Sequence, residues 1–254
     1  MAKSLHIACI QTQPNSSIDD ALSEALNLAK SAVSKGAEFL FFPEYCGGLM
    51  SENGKLRPPA LPEEIHPFLL SMQEFSKKNK VWIMIGSIAV TAQGGKIFNR
   101  GFVLDCYGKI ISRYDKIHMF DIQLSPDQVI RESAFVSPGS EASIMKTPFG
   151  LIGHSICYDL RFPELYRKMA QAGAEIVCVP AAFTKKTGEA HWHILNRARA
   201  IENGVFIIAP CSVGKVSGGG EAYGHSLIIN PWGQIMADGG SEPGIVYSKI
   251  NLNE

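Results

Sequence analysis

The chain has 254 residues, 46% apolar and 19% charged, enough to bury a substantial core, and the expectation is one domain over residues 1–254. Lys plus Arg and Asp plus Glu both number 24, so no overall field draws the protein to nucleic acid or to a membrane surface, and its expected partner is a small molecule. The apolar run after Ser4 is too short for a secretory signal, no run reaches the ~18 residues of a transmembrane helix, and the six cysteines show no CxxC or small-domain spacing, so a cytoplasmic protein without a disulfide framework or zinc site is expected.

Residues 5–10 read as a strand. Ser16 or Ser17 can cap a helix whose apolar positions Ala21, Leu22, Ala25, Leu28, Ala29, Ala32 and Val33 recur at helical spacing, and Gly36 ends it. Phe39-Leu40-Phe41-Phe42 is a continuous apolar run, typical of a strand buried on both faces, and closes a βαβ-like unit. Residues 81–90 are strand-like, and 98–104 with 109–114 predict a hairpin around Asp105-Cys106-Tyr107-Gly108. Residues 151–156 predict a strand, 163–171 a helix opened by a first-turn proline, and 176–179 another buried strand. Lys35-Gly36-Ala37-Glu38-Phe39 and Pro43 are answered by Ala172-Gly173-Ala174-Glu175-Ile176 and Pro180. This echo predicts two related halves, hence two sheets with helices outside. Glu44 and Ala181-Ala182-Phe183 then fall at equivalent strand ends. A helix over about 190–203, a strand over 205–210 and a hairpin turning at Asn230-Pro231-Trp232-Gly233 follow, while residues 214–220 read as a loop, either plain surface or the edge of a pocket.

Cys157 stands where an apolar strand gives way to a helix. A sharp turn there lifts a nucleophile out of the sheet and sets backbone N–H groups beside it. A thiol at neutral pH is mostly protonated and needs a base or a positive field. His154, three residues upstream on a strand, points to the opposite face. His118, His191 and His225 remain open on spacing alone. Glu44 is the stronger candidate, because it directly follows a buried strand, where α/β folds place their sites and where packing explains a carboxylate poorly. Lys116 also follows a strand, and its cation can stabilise a thiolate and a developing oxyanion, although alone it reads as a solvated loop lysine. Cys46 is a rival thiol, but Gly47-Gly48 mark a loop with no following helix to activate it. Cys9 and Cys178, inside apolar runs, read as packing residues. His191-Trp192-His193 looks like a metal pair only on a strand; on the predicted helix the two rings diverge.

Phe42-Pro43-Glu44, Tyr114-Asp115-Lys116-Ile117-His118 and Cys157-Tyr158-Asp159-Leu160-Arg161-Phe162-Pro163-Glu164-Leu165 resemble, in this order, the signatures of the nitrilase superfamily of carbon–nitrogen hydrolases. Family-like Tyr223-Gly224-His225-Ser226 and Asn230-Pro231-Trp232-Gly233 follow, so the resemblance covers residues 5–252. It implies an α/β fold, a four-layer α-β-β-α sandwich, commonly dimeric through its helices. It also implies a Glu-Lys-Cys triad in which Glu44 is the general base, Lys116 the oxyanion-stabilising cation and Cys157 the nucleophile. Glu132 would orient Lys116 and hold the leaving amine, and the Tyr158 N–H would complete the oxyanion site. No metal or organic cofactor is implied. Arg161 matches a position that contacts substrate carboxylates in related carbamoyl-amino-acid hydrolases, with an ion pair to Glu164 as the alternative. Phe183 and His191 are further candidates for the substrate wall.

Within the superfamily, the Cys157 segment and Thr187-Gly188-Glu189-Ala190-His191-Trp192 look like the branch of omega-amidases and deaminated-glutathione amidases, which cleave terminal amides of small carboxylic acids. Glu189 replaces the proline usual there, either as a charge at the pocket edge or as a helix-start carboxylate. Tyr158 resembles amidases where nitrilases commonly carry tryptophan. The rival readings are an N-carbamoyl amide hydrolase, a papain-like Cys-His peptidase, and a non-catalytic binding scaffold.

Overall fold

The two Gly-Ala-Glu stretches fold alike. In the computed structural model, which describes residues 4–52, 55–125 and 128–252, Gly36 and Gly173 turn away from the helix before them with φ of 85° and 92°. Ala37 N–H then closes on Ala32 O at 3.2 Å, and Ala174 N–H on Met169 O at 3.1 Å. Glu38 Oε2 accepts His6 N–H at 3.0 Å, and Glu175 Oε2 accepts Leu151 N–H at 3.1 Å. Each glutamate thus ties the start of its own strand to the strand before the helix.

The strand–helix–strand unit repeats. Helix α1 spans Ile18–Ser34, with the side chain of Ser17 accepting Asp20 N–H at its start, and joins the parallel strands Ser4–Gln11 and Phe39–Phe41. Helix α2 (Pro67–Asn79), which the sequence reading passed over, leads to the third parallel strand, Trp82–Thr91. In the second half α3 (Pro163–Gln171) joins Gly150–His154 to Ile176–Cys178, and α4 (Lys185–Asn203) leads to Phe206–Ala209.

Among the described residues each half is completed by antiparallel strands to a six-stranded sheet. The first sheet runs Gly244–Asn251, Ser4–Gln11, Phe39–Phe41, Trp82–Thr91, Ile97–Leu104, Ile110–Asp115; the second runs Ser143–Thr147, Gly150–His154, Ile176–Cys178, Phe206–Ala209, Leu227–Ile229, Ile235–Asp238. The strand Gly244–Asn251, absent from the sequence reading, returns to pair Ile10 with Ile245.

Strand alternation explains the layers. Phe39 and Phe41 point to one face and meet Ile152, Ile176, Cys178 and Ile208 of the other sheet, while Leu40 points back to Ala25, Ala29, Phe68 and Met72 under α1 and α2. In the second sheet Val177 and Ile207 pack on Tyr166, Met169 and Trp192 of α3 and α4. The result is the α-β-β-α sandwich. Small residues at Ala21, Ala25, Ala29 and Ala32 form the buried stripe of α1.

Two local expectations change. Helix α4 begins at Lys185 instead of about 190, because the polar run Lys185-Lys186-Thr187 hides the amphipathic pattern and because Gly188, where a Cβ would run into the Tyr223 ring, lets the first turn pack tightly. After the Gly150–His154 strand, Ser155 and Ile156 lead into a short 3-10 helix, Cys157–Arg161, before α3 starts at Pro163.

Candidate active site

The ends of the two central strands meet. Beyond Phe41 the chain leaves the sheet through Phe42 and Pro43, and Tyr45 takes a left-handed φ of 52° while its N–H donates to Ser87 Oγ at 2.9 Å. Glu44 is thereby turned inward, where Oε2 accepts Ala182 N–H at 2.9 Å from the equivalent strand end of the other half. Gly86 backs this junction, since a Cβ there would run into Phe42 O, Pro43 O and Pro180 Cβ.

Lys116 follows the Ile110–Asp115 strand, held by its N–H to Asn99 O at 3.0 Å and by Gly139 N–H to its carbonyl at 2.8 Å. Its Nζ lies 3.0 Å from Glu44 Oε1 and 3.0 and 2.9 Å from the two oxygens of Glu132. Glu132 Oε2 also accepts Phe120 N–H at 2.6 Å, and Glu44 Oε1 accepts Asn99 Nδ2–H at 2.8 Å. Exposure of 4%, 2% and 1% for Glu44, Lys116 and Glu132 places these charges out of bulk water.

Two carboxylates face one ammonium. Burial works against the charge of Lys116, yet Glu132 and Glu44 hold it well above the usual lysine range. Burial pushes Glu132 up, and the charge of Glu44 adds to this while Lys116 opposes it. Burial likewise pushes the Cys157 thiol well up, reinforced by the Glu44 charge and opposed by Lys116. The resting arrangement is a thiol beside a carboxylate.

Cys157 takes a left-handed φ of 49°, unusual for a residue with a Cβ, and its N–H is tied to Pro180 O at 2.9 Å. The Tyr158 N–H sits at the open start of the 3-10 helix, where first-turn donors lack intrahelical partners. Buried Asp159 holds this turn. Its Oδ2 accepts Ile156 N–H at 2.8 Å and Tyr114 O–H at 2.6 Å, while Oδ1 meets His118 N–H at 3.0 Å and His118 Nδ1 at 2.7 Å. One side chain therefore ties the Cys157 turn to both flanks of Lys116.

Glu44, Lys116, Glu132 and Cys157 share the wall of a cavity of about 560 Å³, within the range of small-molecule sites. Leu49, Leu56, Phe120, Ile130, Tyr158 and Phe183 supply its apolar lining; Lys55, Lys185, Lys186 and Glu221 supply charge. The residues 214–220 do edge this pocket, through Val216, Gly219 and Gly220. Glu189 is exposed and does not line it.

Arg161 and His191 lie beside the cavity, not among its lining residues. Arg161 Nη2 is 3.3 Å from His191 Nδ1, and its guanidinium stands 5.6 Å from the Phe183 ring and 5.8 Å from the Tyr158 ring. The Arg161–Glu164 ion pair is not formed, because Arg161 ends the 3-10 helix and Glu164 lies in the first turn of α3. The other histidines are engaged elsewhere: His118 with Asp159, and His225 with Asp238 at 2.9 Å. His154 is wedged against Gly101 and Tyr114, where burial lowers its pKa to about 4. Cys46 is buried under Ser87, away from the cavity, and burial pushes its thiol up.

The sequence reading missed Asn99, Ser87 and Asp159. Asn99 and Ser87 sit inside strands whose apolar neighbours dominate the pattern; Asp159, two residues after Cys157, was visible but had no partner until the fold brought Tyr114 and His118 to it.

A family profile described as carbon-nitrogen hydrolase matches residues 6–254. The chain is 37% identical over 249 residues to the deaminated glutathione amidase of Synechocystis sp., covering 96% of this chain and 90% of that one. It is 34% identical over 252 residues to the human omega-amidase NIT2, covering 99% and 90%. The crystal structure of the C. elegans NitFhit protein matches with a TM-score of 0.89 and 29% identity over 100% of this chain, which spans 62% of that protein.

Proposed function

Because the chain belongs to the carbon–nitrogen hydrolase family, enzymes that cleave linear amides, we propose that it hydrolyses the terminal amide of a small carboxylic acid, with Cys157, Glu44, Lys116 and Glu132 as its machinery. The observation that carries the residue assignment is Lys116 bridging Glu44 and Glu132 while Cys157 shares the wall of one cavity with all three.

The reaction runs in two halves. Cys157 Sγ bonds to the amide carbon as Glu44 takes the thiol proton, and the carbonyl oxygen becomes an oxyanion between Lys116 Nζ and the Tyr158 N–H. The C–N bond breaks as Glu44 returns the proton to nitrogen, and ammonia leaves past Glu132. Water then adds to the thioester as Glu44 takes its proton, and collapse expels Cys157 sulfur, which recovers the proton, and frees the acid. The sum is amide plus water to acid plus ammonia.

Lys55 and Lys186 near the apolar walls suit a substrate whose far end is a carboxylate. Monoamides of dicarboxylic acids, assayed for ammonia with intact-protein mass, are expected to leave a transient acyl adduct on the wild type and none on Cys157→Ala. Carbon dioxide released with the ammonia would identify carbamoyl substrates instead. Silence with both classes would leave the scaffold reading.

The cluster titrates as a unit, so the pH profile follows its members together. Burial raises Glu132, so a proton binds there before the free-glutamate value of ~4.3 is reached, and the acid limb of kcat/KM is expected above that pH. Lys116, held high, keeps its charge beyond ~10.4, so no alkaline limb from its deprotonation is expected below that pH. An acid limb at or below ~4.3 would contradict the assignment.

The whole chain is one hydrolase domain, acting as a homodimer in the cytoplasm. Ile194, Ile201 and Trp232, exposed by 69%, 55% and 87%, lie on α4 and the adjoining hairpin and support self-association there. Six unpaired cysteines support a reducing compartment. Among the described residues, no helix is long and apolar enough to cross a membrane.

A further inference from the structure

His193 on α4, His225 ahead of the Leu227–Ile229 strand and Asp238 at the end of the Ile235–Asp238 strand converge, with their ligand-type atoms all within 4.8 Å of one another. His193 Nε2 is 3.0 Å from Asp238 Oδ2, and His225 Nδ1 is 2.9 Å from Oδ1 and 3.2 Å from Oδ2. From this convergence we propose that the three side chains form a zinc-type divalent-metal site outside the amide-cleaving cavity, whose lining includes none of them.

Two imidazoles and one carboxylate make the donor set of open zinc sites, in which water takes the fourth position. Metal–ligand bonds of ~2.0–2.2 Å set donor atoms ~3.3 Å apart around a tetrahedral ion, so the two Asp238–imidazole separations need only a small outward movement while the two imidazole nitrogens, within 4.8 Å of each other, close by up to ~1.5 Å. Each neutral imidazole carries one N–H. Moving it to the ring nitrogen that faces away turns a lone pair toward the ion.

Asp238 and His225 are also held in place by contacts of their own, as metal ligands require. Gly240 N–H donates to Asp238 Oδ1 at 2.9 Å, and Trp192 Nε1–H donates to the His225 carbonyl at 2.7 Å. His225 N–H donates to Gly240 O at 2.7 Å, and its ring stacks on Tyr223 at 4.5 Å. Exposure of 29%, 27% and 33% for the side chains of His193, His225 and Asp238 leaves a path for the ion and its water. The His191–His193 pair considered from sequence is not involved, since His191 turns to Arg161.

Calorimetric titration of Zn²⁺ into Cys157→Ala protein, which removes the reactive thiol as a competing ligand, is expected to show one ion bound at this site. His193→Ala and Asp238→Asn in that background are each expected to weaken binding more than ~10-fold, beyond what loss of a supporting contact alone begins to cost. Co²⁺ as a spectroscopic probe is expected to give nitrogen–oxygen coordination bands that the same variants lose. Melting curves without metal check that each variant is folded, and His193→Gln replaces His193→Ala if the latter is not. No binding at ~100 µM free Zn²⁺, or binding that either substitution leaves unchanged, overturns the proposal.

Discussion

Glu44→Gln is expected to lower kcat/KM for amide hydrolysis by roughly 10³–10⁴-fold, near the upper end for loss of a general acid–base group, because Glu44 serves in both halves of the reaction. Glutamine keeps the volume, and its carbonyl can still accept from Lys116 Nζ and Asn99 Nδ2. Its amide nitrogen would oppose the Ala182 N–H that Glu44 Oε2 now accepts at 2.9 Å, a local cost that leaves both sheets untouched. The change removes the proton acceptor for Cys157 and one of two negative charges around Lys116. The thiol is held up partly by the Glu44 charge, so its pKa falls in the variant. Two readouts separate chemistry from collapse. Acyl-adduct formation is expected to stop at neutral pH, while alkylation of Cys157 by iodoacetamide rises with pH from a lower onset than in the wild type. A folded Glu44→Gln protein retaining turnover within ~10-fold of the wild type would remove Glu44 from the role of base.

The parts of the site legible in the sequence are those carried by contiguous motifs. Phe42-Pro43-Glu44 announces itself because three aromatic residues in four leave no packing reason for the carboxylate that follows. The second Gly-Ala-Glu stretch predicts the twofold architecture because helix end and strand start are both encoded within a few residues, down to the glutamate that clamps the previous strand. What escaped depends on distance along the chain. Asn99 reaches Glu44 across 55 residues, and Asp238 reaches His193 across 45, separations at which spacing carries no information. The Gly244–Asn251 strand escaped because only Val246 and Ile250 are buried in a segment otherwise mixed in polarity. Arg161 shows the converse error: helical spacing suggested Glu164 as a partner, but a 3-10 segment broke the helical register between them.

Asp159→Asn is expected to cost both stability and turnover, and the ratio of the two losses identifies its role. The carboxylate collects two backbone N–H groups, from Ile156 and His118, together with the Tyr114 hydroxyl and the His118 ring, in a fully buried position. An asparagine offers one oxygen. Its NH₂ group can still meet the rotatable Tyr114 hydroxyl or an imidazole lone pair, but on either side one backbone N–H is left without an acceptor. A stranded buried donor costs about 1–3 kcal/mol, so a lower melting temperature is expected. The turn carrying Cys157 is also released from Tyr114 and His118, which flank Lys116. A displacement near 1 Å between nucleophile and oxyanion site costs about 10²-fold in rate, and it acts on kcat with little change in KM because the cavity walls are intact. Tyr114→Phe removes a single contact and is expected to show a small fraction of both effects. If Asp159→Asn melts earlier yet keeps kcat within a few-fold at a temperature where it is fully folded, Asp159 is only scaffold. If kcat falls ~10²-fold in the folded protein, and neutral-pH alkylation of Cys157 slows with it, Asp159 is the residue that positions the nucleophile against Lys116.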